Sequence, residues 1–126
     1  MIWKAIGRSI TGTSHTAAGK GCEDAIRSCI LNDNNGNEVL VCCISDGAGS
    51  ALHAAQAATF ATNQAIAFVT HLIAHNEEVT EGHIYAMAED IYYSLEQEAI
   101  NNDVPLNEYS ATMLGCIISD QRAAFF

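Results

Sequence analysis

Glu38-Val39-Leu40-Val41-Cys42-Cys43-Ile44-Ser45-Asp46-Gly47-Ala48-Gly49-Ser50-Ala51 is the stretch on which the reading of this chain turns. Glu38 to Ser45 is a nearly continuous apolar run, the pattern of a strand buried on both faces. Asp46 to Ser50 is then a tight glycine-rich turn. From about Ala51 to His75 the pattern becomes that of a long Ala-rich helix, whose small side chains allow close approach to a neighbour. Strand, glycine turn and helix follow one another without a linker.

Upstream, Ala25 to Asn32 reads as a second strand. Asp33-Asn34-Asn35-Gly36-Asn37 is a turn, with Asn-Gly as its hairpin signal. Thr11 to Glu23 is rich in Gly, Ser and Thr and reads as a loop, and Ile2 to Ile10 as a first strand. Downstream, Thr80 is placed to cap a second helix, with Glu81 in its first turn. Ile84, Met87, Ala88, Ile91, Tyr92, Leu95 and Ala99 recur there at helical spacing. Tyr92-Tyr93 reads as core plus rim. Asn101 to Tyr109 is a loop around Pro105. Ala111 to Ser119 is another strand, and Arg122 to Phe126 begins one more. Strands, a helix pair and strands again predict an α+β fold with helices layered on an antiparallel sheet.

Composition narrows the function classes. The 126 residues are 49% hydrophobic and 16% charged, with one proline. That excludes a disordered tail or a low-complexity linker and leaves one domain with a real core. Five Lys and Arg against fifteen Asp and Glu give a formal charge of -10. Such a balance argues against nucleic acid or an anionic membrane as partner and fits metal cations or basic partners. Ser50 to Asn76 carries no Asp, Glu, Lys or Arg, but its His, Gln, Asn and Thr residues read as a buried helix rather than a membrane span. No segment reads as a signal peptide. The five cysteines include no C-x-x-C pair, and adjacent Cys42 and Cys43 point to opposite faces of a strand. Buried free thiols in a reducing cytoplasm are expected, rather than a disulfide framework or a zinc cluster. The chain stops at Ala123-Ala124-Phe125-Phe126, inside an apparent strand, so 1–126 reads as a single truncated domain, the amino-terminal part of something larger.

The chemistry-bearing constellation is acidic. Asp24 and Asp46 are roughly equidistant from the Asn-Gly turn, so a hairpin sets them side by side. Carboxylates gathered at one end of a sheet repel unless a cation sits between them, and hard oxygen ligands favour Mg²⁺ or Mn²⁺. The alternative is that Glu23 and Asp24 are solvated loop charges and that Asp46 only caps a turn. Gly47 allows close backbone approach to an ion or a phosphate. The turn lacks the third glycine of a dinucleotide fingerprint and the Gly-Lys-Ser/Thr of a P-loop. His71 and His75 have metal-ligand spacing without the Glu of H-E-x-x-H, and packing is the better reading. Neither Ser14 nor Ser50 has the setting of a nucleophile.

Three segments together carry a resemblance. Ser14-His15-x-x-x-Gly19-x-x-x-Glu23-Asp24-Ala25, Ser45-Asp46-Gly47-Ala48-Gly49-Ser50-Ala51 and Ser110-Ala111-Thr112-Met113-Leu114-Gly115-Cys116 resemble the PPM-type (type 2C) metal-dependent serine/threonine protein phosphatases, most of all their compact bacterial branch. The match covers nearly the whole chain but only the first half of a family domain. The resemblance implies a partial phosphatase fold: half of a β-sandwich of antiparallel sheets, with a long helix pair on one face and a two-metal centre at the sheet end. It implies that Asp46 bridges both metals, that the Gly47 carbonyl adds a ligand, and that Glu23 and Asp24 complete a shell partly through water. Water activated between the metals then attacks phosphorus directly, without a phospho-enzyme. Many members carry an Arg before the acidic pair; here that stretch offers His15 and Lys20, and His15 is assigned the phosphate contact. The family's later Gly-Asp-Gly turn and two further Asp-bearing motifs are absent.

The implied function is Mn²⁺- or Mg²⁺-dependent hydrolysis of phosphoserine or phosphothreonine in proteins, in a signalling role, with little or no activity expected of these residues alone. One alternative is a non-catalytic phosphatase-like module for binding or assembly, self-associating through exposed sheet faces and edges. Another is a phosphate- or nucleotide-binding turn at Gly47 to Ser50.

Overall fold

A computed structural model describes residues 2–126. The elements run α1 (Thr13–Ala17), β1 (Asp24–Asn32), β2 (Glu38–Asp46), α2 (Ala54–Ala74), α3 (Glu81–Asn101), a 3-10 turn (Leu106–Tyr109), β3 (Leu114–Ile118) and β4 (Ala123–Phe125). The four strands form one antiparallel sheet in the order β1-β2-β3-β4. The class is α+β, as the pattern predicts.

The β1–β2 hairpin is organised by Asp33 rather than by Asn35-Gly36 alone. Its carboxylate accepts from the backbone N–H groups of Asn35 and Asn37, each at 2.8 Å, and from Asn37 Nδ2 at 3.1 Å. Those bonds hold the Asp33 carboxyl below its ordinary range. Gly36 supplies the positive φ of 82° that closes the loop.

One sheet face is covered. Val39, Val41 and Cys43 from β2 and Ile117 from β3 meet Ala61, Ala65, Val69 and Ile73 from α2, and Met87 and Ile91 from α3 complete the cluster. The buried positions of α2 recur three or four residues apart, and five of them between residues 54 and 65 are alanine. Small side chains let α2 lie directly on β1 and β2, with α3 stacked on α2. Thr62 is also fully buried there and returns its hydroxyl to the carbonyls of Ala58 and Thr59. At the start of α3 the Thr80 cap is present, closed reciprocally by the His83 ring in place of a Glu or Gln.

Several expectations are corrected. Residues 2–10 form no strand. Ile2, Ile6 and Ile10 stand in solvent, and no neighbour pairs the backbone there. The segment only touches the sheet, through the Trp3 N–H on the Glu38 carboxylate and Gly7 against Ile26. The following loop contains the single helical turn α1. Burial of β2 is one-sided toward its carboxyl end: Cys43 is buried while Ile44 is 45% exposed. The helix begins at Ala54 rather than Ala51, because the Leu52 N–H is bound by the Glu108 carboxylate and the His53 N–H by the Glu108 carbonyl. Tyr92 and Tyr93 are both exposed, since Met87, Ile91 and Ala99 form the buried stripe and a residue adjacent to Ile91 is turned well round the helix.

Candidate metal centre

The hairpin register places Asp24 directly opposite Asp46 at the sheet end farthest from the Asp33 turn. Opposed residues share a face, so both side chains stand on the side away from α2. The two carboxyls therefore lie close enough to interact directly. Desolvation raises the Asp24 carboxyl above its ordinary 3.8, and the hydrogen bond to Asp46 and the negative charges of Asp46 and Glu23 raise it further, while His15 acts against the shift. In Coulomb terms, two like charges held side by side disfavour each other's ionised form, and a cation between them would relieve the repulsion.

Glu23 is adjacent in sequence but turned to the other side. Its side chain is 12% exposed, and its buried Oε2 has no hydrogen-bond partner. Oε2 lies 3.9 Å from His15 Nε2, and Oε1 lies 3.6 Å from Lys20 Nζ. Lys20 also donates to the Gly49 carbonyl at 2.7 Å, bracing the glycine turn. His15 is thus placed beside Glu23, on α1, at the rim of the acidic pair.

Gly47 is buried between backbones. Its N–H donates to the Glu23 carbonyl at 3.1 Å. A Cβ there would stand 2.5 Å from the Glu23 oxygen and 2.6 Å from the Ala54 oxygen, so no side chain fits. The reason for the glycine is steric rather than conformational, because its φ is not positive.

Two residues that sequence reasoning did not single out individually hold this turn from behind. Thr112 binds both backbone groups of Asp46: its N–H donates to the Asp46 carbonyl at 2.8 Å, and its hydroxyl accepts from the Asp46 N–H at 3.2 Å. The buried Ser45 hydroxyl donates to the Thr112 carbonyl. Glu108 fixes Leu52 and His53, as described above. Thr112 lies within one of the quoted motifs; nothing local in the sequence marks Glu108.

The donor chemistry fits a hard divalent cation at Asp24 and Asp46: two carboxylates face each other across the hairpin, and each disfavours the other's charge. Among the described residues, no three His, Cys, Asp or Glu side chains converge as a metal-holding group. Glu23, the residue before β1, does not join the pair. The rings of His71 and the C-cap residue His75 lie 4.1 Å apart, tilted by 35°, at the exposed end of α2, with His75 Nδ1 bonded to the His71 carbonyl, and take no part.

The family model described as Protein phosphatase 2C matches residues 11–126. The chain is 30% identical over 121 residues to Serine/threonine-protein phosphatase 3 of Escherichia coli (strain K12), an alignment covering 94% of this chain and 47% of that protein. It thus spans about half the length of that curated relative. No solved structure matches it. With 11–126 matched by the family model and the Asp24, Asp46 and Gly47 motifs lying inside that range, the chain belongs to the protein phosphatase 2C family.

Proposed function

We propose that this chain is the amino-terminal part of a catalytic domain that hydrolyses phosphoserine and phosphothreonine in proteins with the aid of Mn²⁺ or Mg²⁺. The observation that carries the reading is the direct opposition of Asp24 and Asp46 at the sheet end, beside a glycine that admits no side chain. When bound, divalent cations supply a nucleophilic water near neutral pH and neutralise phosphoryl oxygens. Asp46, Asp24 and the Gly47 carbonyl would hold them, with Glu23 contributing through water. Thr112 orients Asp46 by both of its backbone groups, and Lys20 braces the turn through Gly49. His15, on the rim beside Glu23, would bind the phosphate.

Among the described residues no third carboxylate or imidazole joins the pair, and little activity is expected of 1–126 alone. The same observation favours a second reading, a non-catalytic phosphatase-like module that self-associates. No helix among the described residues is long and apolar enough to cross a membrane, and the acidic balance supports a protein rather than nucleic-acid partner in the cytoplasm.

Calorimetric titration of Mn²⁺ into the chain, with Asp46→Asn alongside, tests the reading. Weak binding that vanishes in the variant supports the phosphatase fragment. No binding in either protein leaves the non-catalytic module.

A further inference from the structure

Cys42 on β2 and Cys116 on β3 stand directly opposite each other in the sheet. Both are free thiols, and both are half-buried. They share the face turned away from α2, where Ile44 and Leu114 are the next opposed pair. Directly opposed residues of an antiparallel ladder have Cα atoms about 4.5 or 5.5 Å apart, according to the hydrogen-bonding phase. Either separation lies within the roughly 4.4–6.8 Å that a disulfide spans.

Among the described residues no other two cysteines are opposed in this way. Cys43 is on the α2 face with Gly115 opposite, and Cys29 is opposite Val41. Cys22 lies in the loop before β1, with its sulfur 3.3 Å from Ser9 Oγ.

We propose that Cys42 and Cys116 form a dithiol that a hydroperoxide converts to an intramolecular disulfide, tying β2 to β3. One thiolate attacks the peroxide; the O–O bond breaks, leaving a sulfenic acid and releasing water or an alcohol. The second thiolate attacks that sulfur, the S–S bond forms, and the expelled hydroxide leaves as water with the remaining proton. The two sulfurs together lose two electrons, and the peroxide gains them. The link joins β2, which ends at Asp46, to β3, which begins two residues after Thr112; Asp46 and Thr112 each lie four residues from the cysteine on their side. The proposal is independent of the phosphatase reading, since it requires only the strand register. Burial, and then the neighbouring Cys116, raises the Cys42 thiol above its ordinary value, so closure is slower than oxidation of a fully exposed thiol.

The test uses the unaltered chain. It is treated with hydrogen peroxide, denatured, alkylated and digested without reduction, and its peptides are mapped by mass spectrometry. The expected result is a Cys42–Cys116 linked pair, loss of two of the five alkylatable thiols, and recovery of both with dithiothreitol. Cys42→Ser and Cys116→Ser each abolish the link; Cys22→Ser keeps it. A chain that retains all five thiols, gains only sulfinic or sulfonic adducts, pairs other cysteines or crosslinks between molecules overturns the proposal.

Discussion

Asp24 and Asp33 lie at opposite ends of β1 and its turn, and their pH effects have opposite signs. The folded-state value of Asp24 is raised, so above the ordinary 3.8 the folded chain holds more protons than the unfolded one. Stability therefore falls as pH rises from 3.8 through the folded value, and the loss persists above it. Asp33 is depressed, so its contribution is present above 3.8 and is lost as pH falls through its lower folded value. Urea denaturation across this range should show a downward slope with rising pH that Asp24→Asn removes and added Mn²⁺ offsets. A carboxyl NMR titration placing Asp24 at or below 3.8 would refute the charge-pair account. At Gly47 the prediction is steric. Gly47→Ala must displace the Glu23 or Ala54 carbonyl and should cost about 1–3 kcal/mol in chemical denaturation, the usual range for overpacking. An unchanged midpoint would mean that the turn is slack.

Among the elements, α2 and α3 depend on different interactions. α2 has no side-chain cap and gains its stability by lying on the sheet through alanines. α3 starts with a reciprocal Thr80–His83 cap and reaches the core chiefly through Met87 and Ile91. Met87 is completely buried, so Met87→Ala should cost about 2–5 kcal/mol, read as a lower denaturation midpoint with an unchanged slope. Thr80→Ala should cost about 1 kcal/mol. Equal effects of the two substitutions would contradict this division between core and cap.

For the whole molecule, the sheet face away from α2, which residues 2–10 cover only in part, matters most. Ile30, Ile44, Leu114 and Phe125 are 37%, 45%, 61% and 75% exposed, and register puts them all on the side away from α2. The strands β1 and β4 are the sheet's edges. Apolar faces and open edges favour association, so light scattering at micromolar concentration should detect a dimer or larger species. A clean monomer would remove self-association from the reading.

Periodicity and turn chemistry were sufficient, from sequence, for the hairpin, the two long helices and the α+β class. The reason is that each rests on local signals: alternation, the Asn-Gly turn, alanine spacing and the Thr80 cap. The facing of Asp24 and Asp46 was also legible, because equal distance from one turn dictates antiparallel register. Residues 2–10 misled because a strand-like pattern makes no strand without a neighbour to bond. The exposure of Ile44, the burial of Glu23 away from the acidic pair, the clasp of Thr112 and Glu108 on the glycine turn and the opposition of Cys42 to Cys116 were decided only in three dimensions. Each depends on which distant segment packs against it, and no local pattern encodes that.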